Sequence, residues 1–391
     1  MIIEPKIRNN ICVNGHPLGC AAQVRTQINY VKARTTFESP RKVVVVGGSN
    51  GYGLAARIAS TFSSGASTVG VAYERPGTRS KPGTAGWYNM ESFKKAAEKE
   101  GHQAWNVNGD AFSEEIKSEV LEIIRENLGE VDFLVYSIAA PRRMDPETGE
   151  LYSSVVKPIG KKFTSKTVDF LTGEVREVTA DPATEEEIAH TVKVMGGEDW
   201  RLWIELLQKG GVLAHNFLTI AFSYIGPDYT KAIYREGTIG KAKEDLEENA
   251  EDISKLLEPY GGKAIVSVNK ALVTRASAVI PAVPLYIALL YKVMKEKKIH
   301  EGCIQQMYRL YRDYLFASTP ANVDDQGRIR MDDWEMRADV QREVAEAWQK
   351  VTTENLGEFA DVDGFRQEFL RHHGFGMPGV DYTRDVEPDV F

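Results

Sequence analysis

Hydrophobic and polar positions along residues 41–140 switch repeatedly between two periods. Val43–Val46 is an unbroken apolar run, as expected of a strand covered on both faces in the middle of a parallel sheet. Leu54-Ala55-Ala56-Arg57-Ile58-Ala59 then reads as helix, and Thr68–Glu74 as a second strand. Ser92–Gly101 is a helix with outward lysines, Gln103–Asn108 a third strand, Glu114–Leu128 an amphipathic helix and Val131–Ser137 a fourth strand. Between Glu74 and Ser92 the chain is rich in glycine and proline, which predicts a loop carrying Trp87 and Tyr88. Strands separated by helices predict an α/β fold, a Rossmann-like doubly wound parallel sheet flanked by helices. Right-handed crossovers bring every carboxyl end of such a sheet to one edge, where ligands bind.

The pattern changes at 141. Residues 141–200 stop alternating, and Val168–Val175 looks like a hairpin about Thr172-Gly173. This predicts an inserted hairpin and helical segment over the ligand edge. Glu198 and Asp199 fall at the start of a helix running to about Lys209, where acids complement the helix dipole. Phe217–Tyr224 is a fifth strand. Ile239, Ala242, Leu246, Ala250, Ile253 and Leu257 form one helix face, closed by Pro259 and Gly261-Gly262. Ala264–Val268 is a sixth strand, followed by Leu272-Val273-Thr274. Ala276–Lys297 reads as a long apolar helix broken near Pro281 and Pro284, a candidate wall for an apolar ligand. A polar, helical extension follows from about 300, with an irregular acidic tail over Phe375–Phe391. Ahead of the first strand, Ile11-Cys12-Val13 is a short strand, Gly15–Gly19 a turn and Gln23–Ala33 a helix.

Composition narrows the function classes. A net charge of −8 with both signs interspersed lacks the basic face of a general nucleic-acid binder. Three cysteines without a CxxC pair suggest neither a disulfide framework nor a metal cluster, and His16 with Cys20 is too few for a metal site. The N-terminus has no apolar signal core and no run approaches about 18 apolar residues. The expectation is a cytoplasmic protein that does not enter the membrane.

The chemistry starts at Gly47, Gly51 and Gly53, which stand between the first strand and its helix. Such a turn offers bare backbone N–H groups and a positive helix end to a pyrophosphate, and glycine permits close approach and positive φ. Glu74 lies about 20 residues further on, where an acid grips a ribose hydroxyl. Asp110-Ala111, Ile138-Ala139 and Tyr224 end strands on the same edge. These positions point to a dinucleotide. A nicotinamide cofactor carries its own hydride, so the chain must supply a proton donor. Tyrosine beside lysine suits that task, since an ammonium favours phenolate and lowers the phenol pKa. Candidates are Tyr224, Tyr234, Lys241 and Lys243. Nine residues at about 100° each make roughly 900°, two and a half turns, so Tyr234 and Lys243 would oppose one another on a continuous helix. They converge only if the helix starts between them, and Gly237, Thr238 and Gly240 offer that break.

Gly47-x3-Gly51-x-Gly53 resembles the glycine pattern of short-chain dehydrogenases/reductases. The spacing Tyr234-x8-Lys243 is longer than their Tyr-x3-Lys, and longer than the Tyr-x6-Lys of common bacterial enoyl-acyl-carrier reductases. With GGSNGYGLAARI, GTAGWYN, GDAFS, VMGGEDW, SYIG, GTIGKAK, VSVNKALVTRASAVIP, VMKEK and HEGCI, the chain is similar, nearly end to end, to the FabV-type enoyl reductases, the bacterial trans-2-enoyl-CoA reductase family. The resemblance implies NADH-dependent reduction of the C2=C3 bond of an enoyl-CoA or enoyl-acyl-carrier-protein thioester. It implies Tyr234 as proton donor, Lys243 on the nicotinamide ribose and Tyr224 on the thioester carbonyl. Gly47, Gly48, Ser49, Asn50, Gly51, Tyr52, Gly53, Tyr73, Glu74, Asp110, Ala111, Ile138, Ala139, Leu272, Val273 and Thr274 would line the cofactor. It also implies a monomer whose residues 1–391 form one domain, with the insertion at about 141–200. Glu74 opposes a 2′-phosphate and so favours NADH, a bias that neighbouring Arg75 could soften. A carbonyl-reducing member is an alternative, although Tyr224 rather than Ser223 takes the exposed strand end. A non-catalytic NAD-binding protein is another. No flavin is expected.

Overall fold

The computed structural model describes all residues except Asn9, Ala276, 318–322 and Phe391, together with the side chain of Val279. Seven parallel strands form the central sheet: β1 Lys42–Val46, β2 Ser67–Ala72, β3 Ala104–Asn108, β4 Val131–Tyr136, β5 Leu213–Ser223, β6 Lys263–Val268 and β7 Ile329–Arg330. Their order across the sheet is β7-β6-β5-β4-β1-β2-β3. The helices used below are α1 Pro17–Lys32, α2 Gly51–Ser64, α3 Ala85–Lys99, α4 Glu114–Ile123, α5 Glu185–Met195, α6 Glu198–Lys209, α7 Thr238–Leu257, α8 Val283–Glu296, α9 Cys303–Leu310, α10 Ala338–Lys350 and α11 Val362–Arg371.

The apolar run of β1 serves two cores. Val43 and Val45 join one cluster with Leu54, Ile58 and the buried face of α8. Val44 and Val46 join the other with Val120 of α4, Trp200 and Trp203 of α6 and Leu246 and Ile253 of α7. Alternate side chains of a strand point to opposite faces, so a strand covered on both must be apolar throughout. All four valines are fully buried. The carboxyl ends of the strands therefore present Gly47, Tyr73-Glu74, Asp110, Ile138 and Tyr224 on one edge, as the alternating pattern predicts.

The insertion is tied into this frame. A hairpin of Phe163–Asp169 and Glu174–Ala180 turns through Phe170, whose ring packs 4.9 Å from both Phe365 and Phe369. Lys166 Nζ donates to the carbonyls of Trp348, Gln349 and Val351, where a cation suits the end of α10. Thr184 and Glu187 make a capping box at the start of α5.

Several boundaries differ from the sequence-based expectation. Helix α1 starts at Pro17 within the expected turn, because proline suits the first helical position and His16 Nδ1 accepts the Gly19 N–H. Helix α3 starts at Ala85, so Trp87 and Tyr88 are helical rather than in a loop. Gly86 belongs to that helix because a Cβ there would lie 2.1 Å from Glu74 Oε1; a close-approach glycine reads like a loop glycine. The apolar helix begins at Val283, with Pro284 in its first turn. Its residues 283–291 are buried in the core; of the expected earlier part, Ala276 lies outside the described residues. The C-terminal extension adds the seventh strand, β7. Its acidic tail is anchored, with Tyr88 donating to the Pro388 carbonyl and the Val386 N–H to the Met1 carbonyl. Asp199 does more than complement a helix start: it is fully buried against Lys117 at 2.8 Å and Tyr136 at 3.0 Å.

Candidate active site

The turn after β1 is built as closely as its glycines imply. Gly47 has φ 88° and Gly51 φ 55°. A Cβ on Gly47 would lie 2.2 Å from the Ser137 carbonyl oxygen, and one on Gly53 would lie 2.0 Å from the Gly47 carbonyl oxygen. Asn50 caps α2 by accepting the Gly51 N–H, which leaves the first-turn N–H groups beyond it facing the strand edge. Over Gly51 there is room: an added Cβ would meet only Thr274 Cγ2, at 3.9 Å. Thr274 therefore stands against the glycine turn. These features fit a pyrophosphate cradle at a helix N-terminus.

Glu74 lies at this edge but is not free. It is buried, and its Oε1 accepts Ser49 Oγ at 2.8 Å and Arg275 Nη1 at 3.0 Å. The arginine that modulates it is thus Arg275. The neighbouring Arg75 instead donates to the Val13 carbonyl. Tyr73 is 80% exposed beside it. Asp110 caps the next turn, Oδ1 accepting the Phe112 N–H, with Ala111 buried. Ile138 and Ala139 follow Ser137, whose N–H donates to the Val46 carbonyl.

A second group of residues adjoins the first. Tyr52 in α2 donates to the Lys270 carbonyl at 2.8 Å, and its ring lies 5.6 Å from that of Phe222. The Phe222 carbonyl accepts Lys243 Nζ at 2.9 Å. Tyr224 follows β5, and its ring meets that of Tyr234 edge-on at 5.0 Å. Helix α7 begins at Thr238, between Tyr234 and Lys243, as their spacing requires. Gly240 permits this turn, since a Cβ there would lie 1.8 Å from the Arg235 carbonyl oxygen. The insertion fixes the same helix start: the Thr238 N–H donates to the Lys157 carbonyl and its hydroxyl to that of Val155. Lys241 is exposed and pairs with Glu244, which leaves Lys243 as the buried lysine of the pair of candidates.

The electrostatics reverse one expectation. Burial pushes the Tyr234 phenol up to about 12, with Arg235 pulling the other way. Lys243 does not lower it, because the ammonium is turned onto the Phe222 carbonyl. Burial also brings Lys243 down to about 8, against the pull of Glu247. Tyr234 is therefore a firm phenol at neutral pH, and Lys243 retains donors beyond the one given to Phe222.

Three contributors escaped the sequence reading. Arg275 reaches Glu74. His372 from α11's end brings its carbonyl to Asn50 Nδ2 at 3.2 Å and its Nε2 to the Val273 carbonyl at 2.8 Å. The Glu335 carboxyl lies 3.2 Å from the Tyr224 hydroxyl. Each is a single polar residue without a local motif.

Comparison with known proteins gives the family. Residues 81–316 match the family described as the trans-2-enoyl-CoA reductase catalytic region. Residues 2–79 match the NAD(P)H binding domain of trans-2-enoyl-CoA reductase, and 323–386 the enoyl reductase FAD binding domain. An enoyl-[acyl-carrier-protein] reductase [NADH] of Flavobacterium johnsoniae is 53% identical over 100% of this chain and 98% of its own. A trans-2-enoyl-CoA reductase [NADH] of Clostridium perfringens is 52% identical over 99% of both. The crystal structure of Treponema denticola trans-2-enoyl-CoA reductase in complex with NAD superposes with a TM-score of 0.96, at 51% identity over 99% of this chain and 98% of that one.

Residues 323–386 contribute the two-residue edge strand β7 and helices whose Val340, Val344, Phe365 and Phe369 join the main core.

Proposed function

The chain belongs to the trans-2-enoyl-CoA reductase family, and from that premise we infer that it reduces the C2=C3 double bond of trans-2-enoyl thioesters with NADH. The observation that carries the reading is the edge-on contact of Tyr224 with Tyr234 at 5.0 Å, with buried Lys243 held on the carbonyl of Phe222 close by in the chain. Bound NADH supplies the hydride that reaches C3 of the enoyl group. Charge then gathers on the thioester oxygen as an enolate, and a hydrogen-bond donor aimed at that oxygen lowers the barrier. Tyr234, a phenol at neutral pH, donates to that oxygen, and a proton replaced from water then reaches C2, directly or through the enol, to complete the saturated thioester. Tyr224, edge-on to it, supplies a second hydroxyl to the same carbonyl. Lys243 holds the nicotinamide ribose with the N–H groups not given to Phe222. Gly47–Gly53 holds the pyrophosphate, Glu74 the adenine-side ribose, and Tyr73, Asp110-Ala111, Ile138-Ala139 and Leu272–Thr274 the walls between.

The acyl carrier is coenzyme A or an acyl carrier protein; relatives bearing each name are equally similar, and both present the same thioester. We read residues 1–391 as one folding unit acting as a monomer in the cytoplasm. The shared cores of sheet, insertion and C-terminal helices support the single unit. Among the described residues no helix is long and apolar enough to cross a membrane.

The test is NADH oxidation followed with crotonyl-, hexenoyl- and dodecenoyl-CoA and with the matching carrier-protein thioesters. Loss of the conjugated enoyl absorbance without a new hydroxyl is expected. A hydroxylated product, or NADH binding without turnover, would replace this reading with a carbonyl reductase or a non-catalytic NAD-binding protein.

A further inference from the structure

Glu335 sits behind Tyr224 in a site that the dinucleotide does not explain. The residue lies between β7 and α10, and its side chain is wholly removed from water. Its Oε2 accepts the Ala271 N–H at 2.7 Å. Its Oε1 accepts the Tyr286 hydroxyl at 2.7 Å and lies 3.2 Å from the Tyr224 hydroxyl. Gln341 Nε2 donates to the Tyr286 oxygen at 3.1 Å and to the Glu335 carbonyl at 2.8 Å. Tyr286 therefore receives one hydrogen bond and must spend its own proton on Oε1.

The Tyr224 contact can run in either direction. A phenol has one proton. If Glu335 is ionised, that proton goes inward to Oε1, and Tyr224 shows a ligand only lone pairs. If Glu335 is protonated, the carboxyl donates to the Tyr224 oxygen, and the phenol proton is released towards Tyr234 and the substrate.

We propose that Glu335 is a positioning residue acting through Tyr224, and that its protonated form is the working one, because only then does Tyr224 donate to the thioester carbonyl. The proposal rests on the reductase reading for the identity of that carbonyl. It needs one proton taken up from water onto the carboxyl, and no electrons move.

The surroundings pull the carboxyl both ways. Burial is the strongest influence and raises the carboxyl above the usual range. Lys270, whose Nζ donates to the Ala271 carbonyl, is the main group favouring the carboxylate, followed by the Ala271 N–H and Tyr286, while Asp332 opposes it. Lys270 in turn faces Glu335, Glu368, Glu301 and Cys303, and burial brings it down to about 8. Gln341, from α10, carries no charge.

The experiment reads the proton and the rate separately. Infrared spectra of the full-length protein are taken against pH for wild type and Glu335→Gln, and kcat for crotonyl-CoA is measured over the same range. A protonated-carboxyl C=O band that titrates in wild type and is missing from Glu335→Gln is expected. Wild-type kcat should lose a step as that band disappears. Glu335→Gln, which has no carboxyl proton to lose, should lack that step. In a Tyr224→Phe background, Glu335→Gln should leave the profile unchanged. Tyr286→Phe removes a donor that favours the carboxylate, so it should move both band and step to higher pH, and it checks the idea should the Gln variant fold poorly. The absence of such a band, or an undiminished Glu335→Gln effect without the Tyr224 hydroxyl, overturns the proposal. A wild-type protein that shows the band but oxidises no NADH overturns the reductase reading and leaves the proton placement standing.

Discussion

Glu74 Oε1 and Arg275 Nη1 lie 3.0 Å apart, although 201 residues separate them in the chain. The contact joins the acid expected to grip the ribose to the segment that stands over Gly51. It also half-neutralises the charge that would repel a 2′-phosphate. Glu74→Ser leaves Arg275 free to meet such a phosphate, so discrimination for NADH over NADPH should fall. Arg275→Ala leaves the carboxylate bare, so discrimination should rise. A charged hydrogen bond of about 1.5–3 kcal/mol corresponds to roughly a tenfold effect or more in each direction. Titration of both dinucleotides against the two variants measures it, and an unchanged ratio in Glu74→Ser would remove Glu74 from cofactor choice.

Tyr234→Phe removes the hydroxyl and leaves the ring against Tyr224. Steady-state turnover of crotonyl-CoA should fall by about 10²–10⁴. NADH affinity, read by fluorescence, should hold, because the cradle lies at Gly47–Gly53. Turnover that survives the change would pass the donor role to Tyr224.

With Lys243 on the nicotinamide ribose, the activity should have an alkaline limit. Burial brings its pKa down to about 8 from the ordinary value near 10.4. The ammonium is present below that value and lost as pH rises through it. The kcat/KM of the free enzyme should therefore decline above about pH 8. Lys243→Met should show low kcat/KM without this limb, and a limb that persists in the variant would assign it to another group.

Local chemistry made half of this site legible. A glycine turn between an apolar strand and a helix announces itself within a dozen residues. The break between Tyr234 and Lys243 follows from helical geometry, and α7 does begin at Thr238. Arg275, Glu335 and His372 were not legible, because their partners are 201, 111 and 322 residues away. Nothing nearby marks them: Glu335 stands among other charged residues in a stretch that reads as a polar extension. The start of α3 was hidden for a related reason, since Gly86 is set by the Glu74 carboxylate and not by its own neighbours.

Breaking the buried pair Lys117–Asp199 should cost much stability. Each side chain is almost wholly buried, and Lys117 also donates to the Phe112 carbonyl. Removing one partner strands a charge in the core, at a cost of about 3–5 kcal/mol. Asp199→Ala should lower the denaturation midpoint accordingly, and replacement of both by apolar residues of similar size should recover much of the loss. Chemical denaturation of the two variants distinguishes a buried pair from an acid that only complements the helix start, whose loss would cost under about 1 kcal/mol.

Two glycine-to-alanine changes separate close approach from helix propensity. At Gly53 a Cβ would lie 2.0 Å from the Gly47 carbonyl oxygen, a backbone atom that cannot yield without moving the turn. At Gly357 a Cβ would meet nothing within 4 Å, and the residue lies in the short helix Leu356–Phe359. Alanine should therefore be neutral or mildly stabilising at 357, by up to about 1 kcal/mol. At 53 it should cost about 1–3 kcal/mol through overpacking. The same shift displaces the first-turn N–H groups from the pyrophosphate, so Gly53→Ala should also lose the thermal stabilisation that saturating NADH confers on wild type. Melting curves with and without NADH test both effects. A Gly53→Ala protein that melts like wild type and is stabilised equally by NADH would show that the cradle tolerates a side chain and that the close contact is not what places the cofactor.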